Sequence, residues 1–327
     1  MKVIQLLLLF FLFCLDCPGQ IIDTHPVEIS AGPCNFNASV IQKNRIRKID
    51  VVMVDKPDGA VIIDKGAGQG YEFDTMGRIS RYYYTVLSTT QKEEIDVPAI
   101  KRKGRIVRPA TTKTVTKYIN DTVFANVYYD AKSRIISKRV RTGDYYDAYY
   151  YEYNDSGQIK KEMHFKETNI SENKQVFKLG VQSILSTETF EYIALTPTQI
   201  KKRCMNDEGR EYKKVIINYD SKGNKISENY EFIVSWMRQE RVYQYDAGRR
   251  LIERSYSGNE SGEIKEYTAY QYDAKGVLLE EKKFRNDVLT HEVSYLYDET
   301  KTIVKSQVSR DHKNASIGIV KYAYSYY

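Results

Sequence analysis

Tyr270-Gln271-Tyr272-Asp273-Ala274-Lys275-Gly276-Val277-Leu278 reads as the end of one strand, a tight turn and the start of the next. Residues two apart on a strand share a face, so Tyr270 and Tyr272 point one way and Gln271 the other. Asp at the first position of a type I turn accepts backbone N–H bonds, and Gly at the fourth takes the left-handed conformation that closes a hairpin with a bulge. A return strand then runs from Val277 to Phe284.

The same pattern recurs along the chain. Close copies begin at Tyr71 (Asp74, Gly77) and Tyr151 (Asn154, Gly157), and variants carry Asp130, Asp220 with Gly223, Asp246 and Asp298. Steps of 26, 27 and 25 residues separate Asp220, Asp246, Asp273 and Asp298, the length of one hairpin plus its connection. Asp74, Gly77, Asp130, Gly157, Asp220, Gly223, Asp246, Asp273, Gly276 and Asp298 are therefore assigned to turns. Degenerate copies fall at Lys101–Ile106 and Met205–Arg210, and Lys166–Ile200 fits worst. The expected fold is all-β: tandem antiparallel β-hairpin repeats forming a long twisted or curved open sheet over residues 45–327, led in by a cap at 20–44.

Residues 1–19 combine Lys2, an apolar run from Leu6 to Phe13, and Cys17-Pro18-Gly19, the signature of a secretory leader. Lipid attachment at Cys17 is the disfavoured rival, because Cys14 and Asp16 stand where such a signal wants Leu and a small residue. No later stretch is long and apolar enough to span a membrane as a helix. The mature chain keeps Cys34 and Cys204, which are candidates for a disulfide in an oxidising compartment or for two separate buried thiols. With 29 Tyr against one Trp, the composition favours strands whose rings cover a sheet. The excess of 50 Lys and Arg over 43 Asp and Glu is spread along the chain, so a solvated surface is expected and no nucleic-acid partner.

Tyr71–Ile79 and Tyr270–Leu278 resemble the YD repeat of the Rhs and teneurin-like families, and the likeness extends loosely over most of the mature chain. In that family such hairpins wind into a large spiralling sheet that forms a shell around a toxin or an extracellular adhesion module. The resemblance implies a long antiparallel sheet and an envelope or extracellular role. It also suggests an alternative, an accessory of a contact-dependent toxin system, as shell fragment or immunity partner. With seven or so units and no cargo segment after Asp298, an open sheet without enclosed cargo is expected.

Chemistry is sparse. His25, His164, His291 and His312 lack metal-ligand spacing, so neither a metal nor another cofactor is expected. Gly66-Ala67-Gly68-Gln69-Gly70 reads as a hairpin loop, since no helix follows to hold an anion. Glu280-Glu281 reads as surface charge. Paired carboxylates on a concave face would indicate a glycoside hydrolase, and a lipid-embedded barrel conflicts with charges on both faces of strands such as Glu280–Lys283.

Two features point to binding. Tyr145, Tyr146, Tyr149, Tyr150 and Tyr151 place rings on both faces of one strand, either as a sheet-covering ladder or as stacking surfaces for a sugar or anchors for a surface protein. From Lys101 to Lys117 the chain is basic without an acid, which suits either edge protection or an anionic polymer or lipid headgroups. The expected function is a noncatalytic, exported β-repeat protein of a bacterial cell envelope that binds a glycan or surface protein through a tyrosine-rich face. The sequence assigns it no oligomeric state.

Overall fold

The computed structural model describes residues 20–102, 105–173, 176–259 and 264–327, so the expected leader lies outside the described residues. The wall opens with β1 (Ile46–Pro57), β2 (Ile63–Phe73) and β3 (Ile79–Val97); a short hairpin, β4 (Ile100–Arg102) and β5 (Arg105–Arg108), tips the connection to β6 (Thr111–Tyr129). β7 (Ile135–Thr142), β8 (Tyr145–Tyr153), β9 (Ile159–Asn169), β10 (Leu179–Thr196), β11 (Gln199–Met205) and β12 (Glu211–Tyr219) follow. The last strands are β13 (Lys225–Phe232), β14 (Arg238–Tyr245), β15 (Leu251–Gly258), β16 (Ile264–Tyr272), β17 (Leu278–Arg285), β18 (Val288–Tyr297), β19 (Val304–Asp311) and β20 (Ser316–Tyr326).

Apart from the β4–β5 hairpin, each strand pairs antiparallel with its neighbours in sequence, and β20 returns to β1 in a register running from Ile46↔Tyr326 to Pro57↔Ser316. The 18-stranded sheet is thus a closed barrel, which corrects the open twisted or curved sheet expected from the sequence. The physical reason is edge satisfaction: the first and last strands complete each other's ladders, so neither edge needs a cap. Gly66–Gly70 also departs from expectation, because these residues lie within β2 rather than in a loop.

An up-and-down barrel gathers alternate connections at the same end. One end carries the turns at Asp74, Asp130, Asn154, Asp220, Asp246, Asp273 and Asp298, and in each the first residue's Oδ1 accepts backbone N–H bonds, such as those from Lys275 (2.9 Å) and Val277 (3.0 Å) to Asp273. Met205–Arg210 forms the same turn at the opposite end, with Asn206 Oδ1 accepting from Arg210 N at 2.9 Å.

A tyrosine staple joins successive hairpins. The residue before the turn faces inward, and its hydroxyl donates to a carbonyl on the preceding hairpin: Tyr129 to Ile79 (2.9 Å), Tyr153 to Ile135 (2.7 Å), Tyr245 to Lys225 (2.9 Å) and Tyr272 to Leu251 (2.8 Å). Where Arg follows the turn, it pairs back to the turn Asp and lies over the next hairpin's ring, as Arg134 does with Asp130 (2.6 Å) and Tyr153 (4.4 Å). Tyr153→Phe is expected to lower stability by about 1 kcal/mol in urea unfolding, the net worth of one hydrogen bond plus the carbonyl it leaves unpaired.

The lumen side is fixed by burial. Inward residues such as Ile49, Tyr71, Leu251, Tyr270, Leu278 and Tyr295 share one core with Ile21, Val40 and Ile41 from the segment before β1. Residues 20–44 therefore fold inside the barrel and touch it on several sides. Gln20 Oε1 accepts from Leu278 N at 2.6 Å, Ser30 O from Lys138 Nζ at 3.1 Å, and Thr75 O from Gln42 Nε2 at 3.2 Å. A short helix, α1 (Ala38–Lys43), is capped by Asn37, whose side chain accepts from the Ser39 and Val40 backbone N–H groups.

The outer face is charged along the strands. Glu281 accepts from the core tyrosine Tyr295, so it faces inward and is not the surface charge expected; its neighbours Glu280 and Lys282 face outward and pair at 2.9 Å. Lys214–Glu231 (2.9 Å) and Arg203–Glu191 (2.7 Å) continue this pattern around the wall. Such mid-strand ion pairs are incompatible with the apolar band of a lipid-facing barrel. Among the described residues no helix is long and apolar enough to cross a membrane.

Candidate functional site

Strand alternation divides the five candidate tyrosines of β8. Tyr151 lies on the lumen face, as does Tyr149, which stacks on His164 with centroids 4.3 Å apart. His164 in turn meets Asp147 at 3.0 Å, and Tyr145 lies under the Lys166 ammonium at 4.4 Å. Tyr146 and Tyr150 point the other way. The Tyr150 hydroxyl donates to Glu167, a fully buried carboxylate that also accepts from Arg139 Nε and Gln182 Nε2, each at 2.8 Å. Tyr146 packs edge-to-face on Phe177 at 4.9 Å. The outer pair is thus built into a packed cluster, and the inner tyrosines line the barrel interior.

The interior holds a cavity of about 490 Å³, bounded by Glu28–Ser30 of the internal segment and by residues of β7 to β14. That volume suits a small ligand. Rings from Tyr151, Phe190, Tyr192, Tyr219, Tyr230 and Tyr243 alternate around it with Lys138, Glu162, Glu188, Lys202, Lys213, Glu228 and Arg241. The alternation follows from strand period: Phe190 and Tyr192, Lys202 and Cys204, and Lys213, Val215, Ile217 and Tyr219 are each spaced by two, so all reach one face.

Several of these charges are already paired. Lys202 Nζ reaches Glu28 at 2.6 Å and lies over the Phe190 ring at 4.1 Å, which ties the internal segment to β11. Glu228 accepts from Lys225 (2.7 Å) and from the Tyr243 hydroxyl (2.8 Å). Burial raises the Glu228 pKa, but Lys225, Tyr243 and Arg241 outweigh it and hold the carboxyl below its ordinary range. Glu162 is opposite in character: burial first, then the Glu188 carboxylate that it faces across the β9–β10 ladder, pushes its pKa up. Burial also pushes the Lys138 ammonium down. The Tyr212 hydroxyl donates to Glu188 at 2.6 Å, and the Lys213 ammonium lies over the Tyr212 ring at 5.2 Å.

The arrangement offers flat apolar faces beside donors and acceptors of both signs, in a partly desolvated space. Among the described residues no group of three or more His, Cys, Asp or Glu is placed to hold a metal ion. Cys34 and Cys204 are both free thiols; Cys34 lies by Tyr71, and Cys204 packs with Val215 and Ile217.

No family model matches the chain, and no curated protein matches it. Among solved structures it is similar to a porin-like protein from Bacteroides uniformis ATCC 8492, at 12% identity over 86% of this chain and 97% of that one, with a TM-score of 0.37. It is also similar to a porin-like protein from Bacteroides vulgatus ATCC 8482, at 12% identity over 63% of this chain and 94% of that one, with a TM-score of 0.27. TcdB2-TccC3 without its hypervariable C-terminal region matches at 11% identity over 75% of this chain and 12% of that one, with a TM-score of 0.27. These likenesses are too loose to assign a family or an activity.

Of the β8 tyrosines marked in the sequence only Tyr151 lines the cavity, and its other walls were missed. Glu188, Phe190 and Tyr192 come from the stretch that fits the repeat worst, where the only signal was alternation within Thr187–Tyr192.

Proposed function

We propose that this chain is an exported, noncatalytic β-barrel protein of a bacterial cell envelope that binds a short glycan inside its lumen. The observation that supports this reading is the cavity of about 490 Å³, where tyrosine rings alternate with charged side chains. A sugar ring presents apolar C–H faces and equatorial hydroxyls, and it is held by flat aromatic surfaces flanked by donors and acceptors. Export is inferred from the leader-like residues 1–19. On this reading the tyrosine-rich face expected from the sequence contributes Tyr151 to the cavity, and Tyr149 lies beyond it on the same face of β8.

A glycan array followed by calorimetry tests the proposal. Tyr151→Ala and Tyr230→Ala are each expected to weaken binding of the selected glycan by tenfold or more, on the order of the 1.4 kcal/mol that a stacked ring contributes. Both substitutions leave the Glu28–Lys202 tie in place, so the melting transition should persist. An array without a hit, or a hit whose affinity ignores both substitutions, would overturn the reading.

A further inference from the structure

The connection between β3 and β6 is unlike the others. β3 pairs with β2 only as far as Tyr84, and β6 pairs with β7 only from Ala125. Beyond these points Thr85–Val97 and Thr111–Thr122 pair strand to strand with each other, and only at the base do side chains still reach β2, Thr85 at Gly68 and Asn120 at Lys65. The two strands form a ribbon that leaves the barrel wall and reaches about 40 Å at the usual rise of a strand. Its outer end is the β4–β5 hairpin, in register Ile100↔Arg108 and Lys101↔Ile106.

Charge and apolarity are concentrated at that tip. Along the stem, Lys113 and Lys117 are offset by Glu93, Glu94 and Asp96 on the facing strand. Over the two strands of the tip hairpin the sequence supplies Lys101, Arg102, Arg105 and Arg108 and no acid. Interleaved with these cations, Ile100, Ile106 and Val107 are 51%, 61% and 63% exposed. A two-stranded ribbon is marginally stable on its own in water, and exposing neighbouring aliphatic side chains at its end adds nothing to its stability. A stretch whose sequence alternates cations with exposed aliphatic residues complements a surface that is anionic outside and apolar beneath, as lipid headgroups over acyl chains are. From Ile100 to Lys117 there is no aromatic residue to stack on a base or a sugar ring, which disfavours nucleic acid and glycan at this position.

We propose that the Ile100–Arg108 hairpin docks this protein onto an anionic lipid surface, with Ile106 and Val107 entering the headgroup layer. The proposal is independent of the lumen and of what binds there.

The test is co-sedimentation of the mature chain with phosphatidylcholine vesicles, either pure or containing about a third phosphatidylglycerol. Binding is expected to the anionic vesicles only and to weaken as salt rises. Arg105→Ala combined with Arg108→Ala should reduce it on the order of twenty-fivefold, about fivefold per cation removed. Ile106→Ser combined with Val107→Ser should reduce it by about tenfold without altering its salt dependence. Both double variants lie on the ribbon tip, and an unchanged melting transition verifies that the barrel is intact. Equal binding to both vesicle types, binding that survives the charge substitutions, or capture by heparin with none by vesicles would overturn the proposal.

Discussion

Gly77→Ala should cost at least about 3 kcal/mol in urea unfolding, whereas Gly223→Ala should cost about 1–2 kcal/mol. Both glycines close turns of the repeat in the left-handed region, with φ of +78° and +81°. Sequence pattern alone makes them equivalent, and the cost of placing an L residue at such a φ applies to each. What separates them is the internal segment. A Cβ on Gly77 would lie 2.1 Å from the carbonyl oxygen of Ala38 and 2.9 Å from Gln42 N, whereas nothing lies within 4 Å of one on Gly223. Those contacts are backbone atoms of α1, which cannot rotate aside as a side chain would. The helix must shift, and with it Val40 and Ile41, both buried in the central core. Equal losses for the two variants would show that the segment before β1 does not occupy the lumen beside this turn.

How far the fold could be read from the sequence depended on how local each feature was. The turns at Asp74, Asp220, Asp246 and Asp273 were legible because their hydrogen bonds close within five residues, and Asp, Gly and the preceding Tyr each state a local geometry. Closure was not legible. The alternation of Tyr322, Tyr324 and Tyr326 marks a strand, but pairing Tyr324 with Ile49 joins strands some 275 residues apart in sequence, and nothing local encodes that partner. The internal segment was hidden for a related reason. Ile21, Val40 and Ile41 belong to no repeating pattern, and their burial follows only once a lumen exists to receive them. At the candidate site the strand period told which β8 tyrosines share a face, and it could not tell which face is inside. The cavity charges suffered most, because Lys138, Glu162, Lys202 and Glu228 meet across several strands of curved wall.

The turn aspartates should make the barrel labile to acid, and replacing them with Asn should remove much of that lability. Asp130 and Asp273 are held below the ordinary value of 3.8 chiefly by backbone N–H groups, from Arg134 and Val277 respectively, and Asp220 chiefly by the Asn224 side chain. In Asp246 and Asp298 burial pushes upward, but the Arg250 guanidinium and the Thr300 hydroxyl, with backbone donors, outweigh it. A carboxyl whose folded pKa is depressed stabilises the fold fully above its unfolded pKa, and that stability is lost as pH falls through the folded value. The window therefore opens near pH 3.8 and extends downward, with the five turns adding in the same direction. Asn keeps the Oδ1 acceptor but does not titrate, and Asn154 already serves this way by accepting from Gln158 N at 2.9 Å. Substituting Asn at all five positions should lower stability near neutral pH, because the pairs with Arg134, Arg250 and Lys301 are lost. Below pH 3.8 the variant should lose stability more slowly than the parent, so the two melting curves converge. Thermal melts followed by circular dichroism across that range decide the matter. Parallel acid limbs would mean that the carboxylates giving way in acid lie elsewhere, with Glu228 in its lumen pairing the first to test.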